Sequence, residues 1–123
     1  MKLTTKSLNH VALHVLDVAV SIDFYQNVLL LESLPRPAFD FAGAWFRLGT
    51  VQELHLIGER DNPVFSGSRS NHFALEVDDL DAWAAHLATV GATFRPPKTR
   101  PDGNRQIFII DPDGHSVELV AFV

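Results

Sequence analysis

Residues 9–17 read NHVALHVLD, and residues 71–79 read NHFALEVDD. Six of the nine positions are identical in the two stretches. Each stretch is followed by an amphipathic helical pattern and then by short strand-like segments. Self-similarity at a fixed spacing is typical of one supersecondary unit that is used more than once. Because the spacing is about half of the chain, the sequence predicts two halves built on one plan.

The periodicity within each half predicts one helix and four strands. The two nine-residue stretches mix apolar and polar residues with period two, as strands do. Asp17 is a suitable N-cap for a helix over residues 18–30, and Asp79 or Asp81 serves a second helix that stops at Gly91. Further strands are predicted at residues 32–36, 42–48, 52–57, 93–95, 105–110 and 116–122.

These elements predict an α+β fold of two βαβββ modules in a single domain that covers residues 1–123. The first module takes residues 7–58 and the second takes residues 71–123. Residues 59–70 are polar and rich in turn-forming residues, so they form the linker. The helix of each module covers one face of its sheet, and a four-stranded sheet alone is poorly buried. We therefore expect the other faces to enclose a pocket between the modules.

Composition excludes several classes of protein. With 46% hydrophobic and 20% charged residues the chain resembles an ordinary globular domain. No apolar run reaches the roughly 18 to 20 residues of a membrane span, and no signal peptide is recognisable, so we expect a cytoplasmic protein without a membrane partner. The net charge of -5 and the lack of a basic cluster argue against nucleic acid as a partner.

The chain has no cysteine, so His, Asp and Glu are its only strong metal ligands. Strand parity puts His10 and His14 on one face of the first strand, and the repeat gives His72 the position equivalent to His10. We therefore expect His10 and His72 to meet across a pseudo-twofold axis. Glu118 is a carboxylate within an otherwise apolar last strand, and a buried carboxylate is costly unless it is paired or bound to a metal.

A fourth ligand is expected on the fourth strand. His55 lies there between two leucines, and Glu53 lies two residues away on the same face. Either side chain could complete a site for a divalent ion. The residues themselves leave this choice open.

Six segments of the chain together resemble the vicinal oxygen chelate superfamily, which includes glyoxalase I, extradiol dioxygenases and bleomycin-resistance proteins. The carriers of the resemblance are residues 8–13, 21–25, 43–46, 54–56, 71–75 and 111–119. Phe39 to Trp45, which read FDFAGAW, are similar to a stretch in small glyoxalase I-like proteins. The resemblance implies paired modules that form a cupped mixed sheet around one metal ion, and it implies a homodimer.

The same resemblance implies a ligand set. His10, His72 and Glu118 fall on the metal positions of the family, and the fourth position falls on His55 or Glu53. We prefer His55 because it has aliphatic residues on both sides. The metal is expected to be one divalent ion, with nickel, zinc, manganese and iron as candidates.

The expected activity is that of a glyoxalase-like lyase or isomerase acting on a small substrate with adjacent oxygen atoms. A Lewis acid stabilises an enediolate while a nearby carboxylate moves a proton, and Glu118 is the first candidate base, with Glu53 in reserve. Candidates for binding a substrate carboxylate are His14, Arg47 and Arg105. Candidates for apolar walls are Phe24, Trp45 and Phe108. The alternatives are an extradiol-type dioxygenase with non-haem iron, and a bleomycin-resistance-like binding protein without catalysis.

Overall fold

The computed structural model describes residues 2–123 and contains two similar modules. The elements of the first are β1 (His10–His14), α1 (Val18–Asp23), a π-helical segment (Phe24–Val28), β2 (Ser33–Leu34), β3 (Gly43–Leu48) and β4 (Gln52–Ile57). Its sheet has the order β1-β4-β3-β2, in which only β1 and β4 run parallel. A strand, a helix and three strands are the predicted βαβββ plan.

The second module repeats this arrangement. Its elements are β5 (Phe73–Glu76), α2 (Leu80–Thr89), β6 (Thr93–Phe94), β7 (Lys98–Thr99), β8 (Arg105–Ile110) and β9 (Ser116–Ala121). The sheet order is β5-β9-β8-β6, with β7 paired to β8. β5 and β9 run parallel, as β1 and β4 do. The α+β class with paired modules is confirmed, and within one chain the strands form two mixed sheets.

Two local features differ from the sequence prediction. The first helix, predicted over residues 18–30, is α-helical only to Asp23 and then widens into the π-helical segment. The π-helical turn lets the consecutive residues Phe24 and Tyr25 both enter the core. The helical segment ends before Leu30, which has a φ of 57°. The short strand β7 was not predicted because two residues carry no detectable period.

The core lies between each helix and the sheet beneath it. Val15, Leu54 and Leu56 in the first module, and Val117 and Leu119 in the second, are almost completely buried on the helix-facing side. The opposite face of each sheet, here called the open face, carries the polar residues of the same strands. Alternation along the strands therefore decides which side chains are available for chemistry.

The tight turn between β8 and β9 (residues 111–114) forms hydrogen bonds that link the second module to the first. Asp113 accepts a hydrogen bond from the backbone N–H of Leu16 at 2.7 Å and one from Arg60 Nε at 2.9 Å. The Tyr25 hydroxyl donates to Asp111 Oδ2 at 2.8 Å. Burial raises the pKa of the Asp111 carboxyl, and burial together with the Asp111 charge raises the pKa of the Tyr25 hydroxyl well above its usual value. This contact joins two residues that are far apart in the chain.

No helix within residues 2–123 is long and apolar enough to cross a membrane. The cytoplasmic location expected from the sequence stays a prediction.

Gly43 begins β3 at a point where the backbone of β4 comes unusually close. A Cβ at this position would clash with the carbonyl oxygen of Leu56 and would lie 2.9 Å from Arg36 Nη2. We expect Gly43→Ala to lower the free energy of unfolding by about 2 kcal/mol, because a strand must shift to admit the methyl group. Urea denaturation would measure this. The matched control is Gly67→Ala, whose nearest neighbour is the movable Ser70 hydroxyl at 3.1 Å; an equal loss in both variants would contradict the explanation.

Candidate metal centre

The open face of the first sheet carries a first donor group, consisting of His10, Glu53 and His55. The register pairs His10 with Glu53 across β1 and β4, and strand parity puts His55 on the same face. Glu53 Oε1 and His55 Nε2 are 2.8 Å apart. His10 Nδ1 lies 2.8 Å from Asn9 Oδ1, which leaves Nε2 of His10 as the atom that can bind a metal.

The rings in this group are stacked. The centroids of His10 and His55 are 4.2 Å apart with an angle of 16° between the planes, and Trp45 covers His55 at 4.0 Å and 3°. The metal-binding lone pairs of an imidazole lie in the ring plane. Two nearly parallel rings at this spacing direct their lone pairs side by side, so His10 and His55 cannot both point at one ion in this arrangement. Glu53 is then the better partner for His10.

The open face of the second sheet carries a second donor group, His72 and Glu118. His72 Nε2 lies 3.2 Å from Glu118 Oε1, and the Glu118 side chain is only 8% exposed. His72 Nδ1 donates to the carbonyl oxygens of Ser70 at 2.9 Å and Gly67 at 3.1 Å. Since carbonyl oxygens can only accept, these contacts fix the proton on Nδ1 and leave Nε2 with a lone pair when the ring is neutral.

Two lone-pair atoms at 3.2 Å repel each other unless a cation or a proton lies between them. Arg100 Nη1 is the nearest guanidinium nitrogen, at 3.8 Å from Glu118 Oε2, the other oxygen of the carboxylate. The second donor group therefore supplies two of the donor atoms that a cation site needs, His72 Nε2 and Glu118 Oε1. The donor types of both groups, imidazole nitrogen and carboxylate oxygen, suit a divalent transition metal.

A single chain does not bring the two donor groups together. Among residues 2–123, no three His, Asp or Glu side chains are grouped so that they could hold a metal ion. Each predicted ligand is on the open face where parity puts it. Contrary to the expectation from the sequence, His10 and His72 do not belong to one metal-binding group within a single chain. Repeat equivalence gave the face of each residue, whereas the distance between the modules depends on how they dock.

The residues predicted to bind substrate are dispersed. Arg47 forms a salt bridge with Glu32 at 3.0 Å. Arg105 forms a bidentate salt bridge with Asp81 of α2, on the helix side of the second sheet. His14 Nε2 contacts the carbonyl oxygen of Gly58. Phe24 is buried in the core of the first module. Trp45 and Phe108 are close to donor groups, since Trp45 stacks on His55 and the Phe108 ring meets His72 edge-on at 5.2 Å.

A small basic cavity beside the second donor group was not predicted. It has a volume of about 130 Å³, and its lining includes Arg69, Arg95, Lys98 and Phe108. None of these three cations is in an ion pair within residues 2–123, although the net charge is -5. They come from the linker, from the segment after β6 and from β7, so no spacing in the sequence could have grouped them.

Comparisons with known proteins agree with this architecture. "Metallothiol transferase FosB" of Bacillus licheniformis is 27% identical over 117 residues, which cover 91% of this chain and 73% of the relative. "Glyoxylase I 4" of Arabidopsis thaliana is 27% identical over 121 residues, covering 92% and 69%. The crystal structure of a glyoxalase family protein from Bacillus anthracis superposes with a TM-score of 0.84 at 23% identity over the full length of both chains.

A family model matches most of the chain, from residue 7 to residue 119. Its description is Glyoxalase/Bleomycin resistance protein/Dioxygenase superfamily. The paired modules and the repeated His on β1 and just before β5 are the features that the sequence had already linked to this group. The chain belongs to the Glyoxalase/Bleomycin resistance protein/Dioxygenase superfamily.

Proposed function

We propose that this protein is a divalent-metal-dependent enzyme of the glyoxalase type, a lyase or isomerase for a small substrate with two adjacent oxygen atoms. The observation that carries the proposal is the 3.2 Å contact between His72 Nε2 and the buried Glu118 carboxylate. With one proton held on Nδ1 of His72, Nε2 meets the carboxylate through a bound cation or through a second proton, and we propose the cation. Similarity to a metallothiol transferase supports a metal ion in that role.

The proposed ligands are His10 and Glu53 from the first donor group and His72 and Glu118 from the second. Glu53 is proposed in place of His55, which the sequence favoured, because the ring of His55 is held parallel to that of His10. His55 then acts through its 2.8 Å contact with Glu53, as a hydrogen-bonding partner that orients the carboxylate.

A homodimer is the simplest assembly that unites the donor groups, with the first group of one copy facing the second group of the other. β1 and β5 are both terminal strands of their sheets, so each has an edge available for association. An apolar groove of about 690 Å³ lies between them and is lined by Val11, Phe73 and Trp83 among others. Exposed apolar surface of this kind is typical of an interface.

The substrate is proposed to be an anion. Arg69, Arg95 and Lys98 converge on the basic cavity next to the second donor group, where a carboxylate, phosphate or phosphonate could form charge-assisted hydrogen bonds. This cavity takes the place of His14, Arg47 and Arg105 as the anion-binding element. Phe108 separates the cavity from His72 and supplies an apolar wall.

A bound divalent ion would act as a Lewis acid on the adjacent oxygens of the substrate. The protein supplies the proton transfer, and Glu118 is the proposed base because it is the buried carboxylate of the second donor group, 3.2 Å from His72. General-base catalysis needs a carboxylate within hydrogen-bond reach of the proton that it removes. Glu53 remains the reserve base, since it is more exposed, at 30%.

We expect the purified protein to bind about one divalent ion per chain, and we expect His72→Ala and Glu118→Gln each to lower the metal affinity by at least about 100-fold. Elemental analysis after dialysis measures this. Asp61→Asn is the matched control, because Asp61 is an exposed acid in the linker. Full metal retention in both site variants would refute the metal centre.

The reaction is then assigned by three assays on the metal-loaded protein. Turnover of a hemithioacetal supports the lyase. Thiol addition to fosfomycin supports a transferase, a second candidate favoured by the 27% identity with FosB. Oxygen uptake with Fe²⁺ and a catechol supports the dioxygenase, and ligand binding without metal or turnover supports a bleomycin-resistance-like protein.

A further inference from the structure

The first module contains a continuous strip of aromatic rings that the proposed reaction does not use. It begins on the loop between β2 and β3 with Phe41 and Phe39, whose ring centroids are 5.1 Å apart. Phe39 lies 6.2 Å from Trp45, which stacks on His55. The strip therefore leads from solvent directly to the first donor group.

The outer end of the strip is exposed although it is apolar. Phe39 is 46% exposed and Phe41 is 43% exposed. Two adjacent exposed rings next to a group of metal-type donors are an unusual use of apolar surface, since burial of each ring would stabilise the protein. Covering such a surface with another apolar group is favourable because it removes apolar area from water.

The exposed rings are held in place before any ligand binds. The Arg36 guanidinium lies 4.9 Å from the centroids of both rings, and its Nη2 donates to the carbonyl oxygen of Phe41 at 2.8 Å. Pro35 and Pro37 flank Arg36 and restrict the backbone. A preorganised surface loses little entropy on binding, as expected of a recognition element.

We propose that Phe39 and Phe41 form a specificity subsite for an aromatic ring carried on a flexible linker by the substrate. The inference rests on the proposed function for the chelating end of the substrate, whose oxygens would be held at the donor groups. Trp45 and His55 lie between these donors and Phe39, so a ring attached directly to the chelating carbons would not reach the subsite. The substrate is an anionic, oxygen-chelating molecule with an extended aryl tail.

The test compares hydroxy acids by calorimetry on the metal-loaded protein. We expect 2-hydroxy-6-phenylhexanoate to bind more tightly than mandelate, whose ring is too close to its oxygens. It should also bind about fivefold more tightly than its cyclohexyl analogue, because ring pairs gain energy beyond their apolar area. Equal affinity for the long and the short phenyl compounds would overturn the subsite.

Variants locate the contact. Phe39→Ala and Phe41→Ala should each lower the affinity for 2-hydroxy-6-phenylhexanoate by about tenfold. The affinity for lactate should change by less than about twofold, since its methyl group does not reach the rings. Phe122→Ala removes an equally large ring that is 58% exposed at the end of the second module, and it should change neither affinity. If Phe39→Ala instead dissociates the dimer in sedimentation experiments, the strip is an interface between copies and the subsite is wrong.

A second measurement separates this proposal from the metal centre. 5-Phenylpentanol has no pair of adjacent oxygens, so its contact with the strip does not need a metal. Saturation-transfer NMR should detect its phenyl protons on the wild-type protein and a clear loss of signal with Phe39→Ala. Absence of transfer overturns the subsite even when metal binds, whereas transfer without metal binding leaves the subsite standing and refutes only the metal centre.

Discussion

Asp111→Ala is expected to lower the free energy of unfolding by about 4 kcal/mol, because it leaves three buried or half-buried donors without an acceptor. These donors are the Tyr25 hydroxyl at 2.8 Å and the backbone N–H groups of Asp113 and His115 at 2.9 and 2.8 Å. Tyr25 is completely buried, so its hydroxyl is shielded from bulk water. Chemical denaturation measures the loss, and Asp61→Ala, at an exposed linker position, serves as the control.

Asp111→Asn separates the charge from the hydrogen bonds. An asparagine oxygen can still accept from both backbone N–H groups, and its amide can donate to the Tyr25 oxygen. Because burial raises the pKa of Asp111 in the folded state above its unfolded value of 3.8, its contribution to stability is complete below that value and is lost as the pH rises through the folded-state pKa.

The stability of Asp111→Asn relative to the wild type should therefore increase from acid to neutral pH. Denaturation at a series of pH values measures this. A parallel course of the two pH profiles would show that the charge of Asp111 is not the cause. An Asp111→Ala variant as stable as the wild type would contradict the proposed fastening of the two modules.

Heterodimers of two inactive variants are expected to regain one metal site. If each site takes the first donor group from one copy and the second from the other, a dimer of His10→Ala with Glu118→Gln contains one intact site and one doubly damaged site. Isolated through two different affinity tags, it should hold about one ion per dimer, where the wild type holds about two and each variant alone holds almost none.

The reverse pairing is the control. A heterodimer of the wild type with the double variant His10→Ala, Glu118→Gln damages both shared sites and should hold almost no metal. If each chain instead holds its own site, this heterodimer keeps one ion and the first heterodimer holds none. The two arrangements therefore give opposite results with the same four donor residues.

For the candidate ligands, the sequence predicts the face of the sheet on which each side chain lies, but it does not predict which side chains bind together. Parity along β1, β4 and β9 put His10, Glu53, His55 and Glu118 on the open faces, and the structure agrees. The preference for His55 over Glu53 could not have been tested in the sequence, because stacking between His10, His55 and Trp45 joins three different strands.

The basic cavity and the aromatic strip show the same limit. Phe39 and Phe41 belong to the stretch that is similar to small glyoxalase I-like proteins, but nothing in their spacing predicts that Arg36 orders them. Arg69, Arg95 and Lys98 are spread over the linker and two later segments. A chain pattern reports neighbours at fixed spacing, whereas these groups become neighbours only after the sheets form.

The sequence by itself determined the duplication, the βαβββ plan of each half and the face on which each ligand candidate lies. These features follow from periods of two and of 3.6 residues and from capping and turn residues, all of which act over short stretches of chain. Tertiary structure decided that the donor groups of one chain stay apart. That distance depends on contacts such as Leu16 with Asp113 and His115 with the carbonyl oxygen of His14, which join residues from opposite halves of the chain.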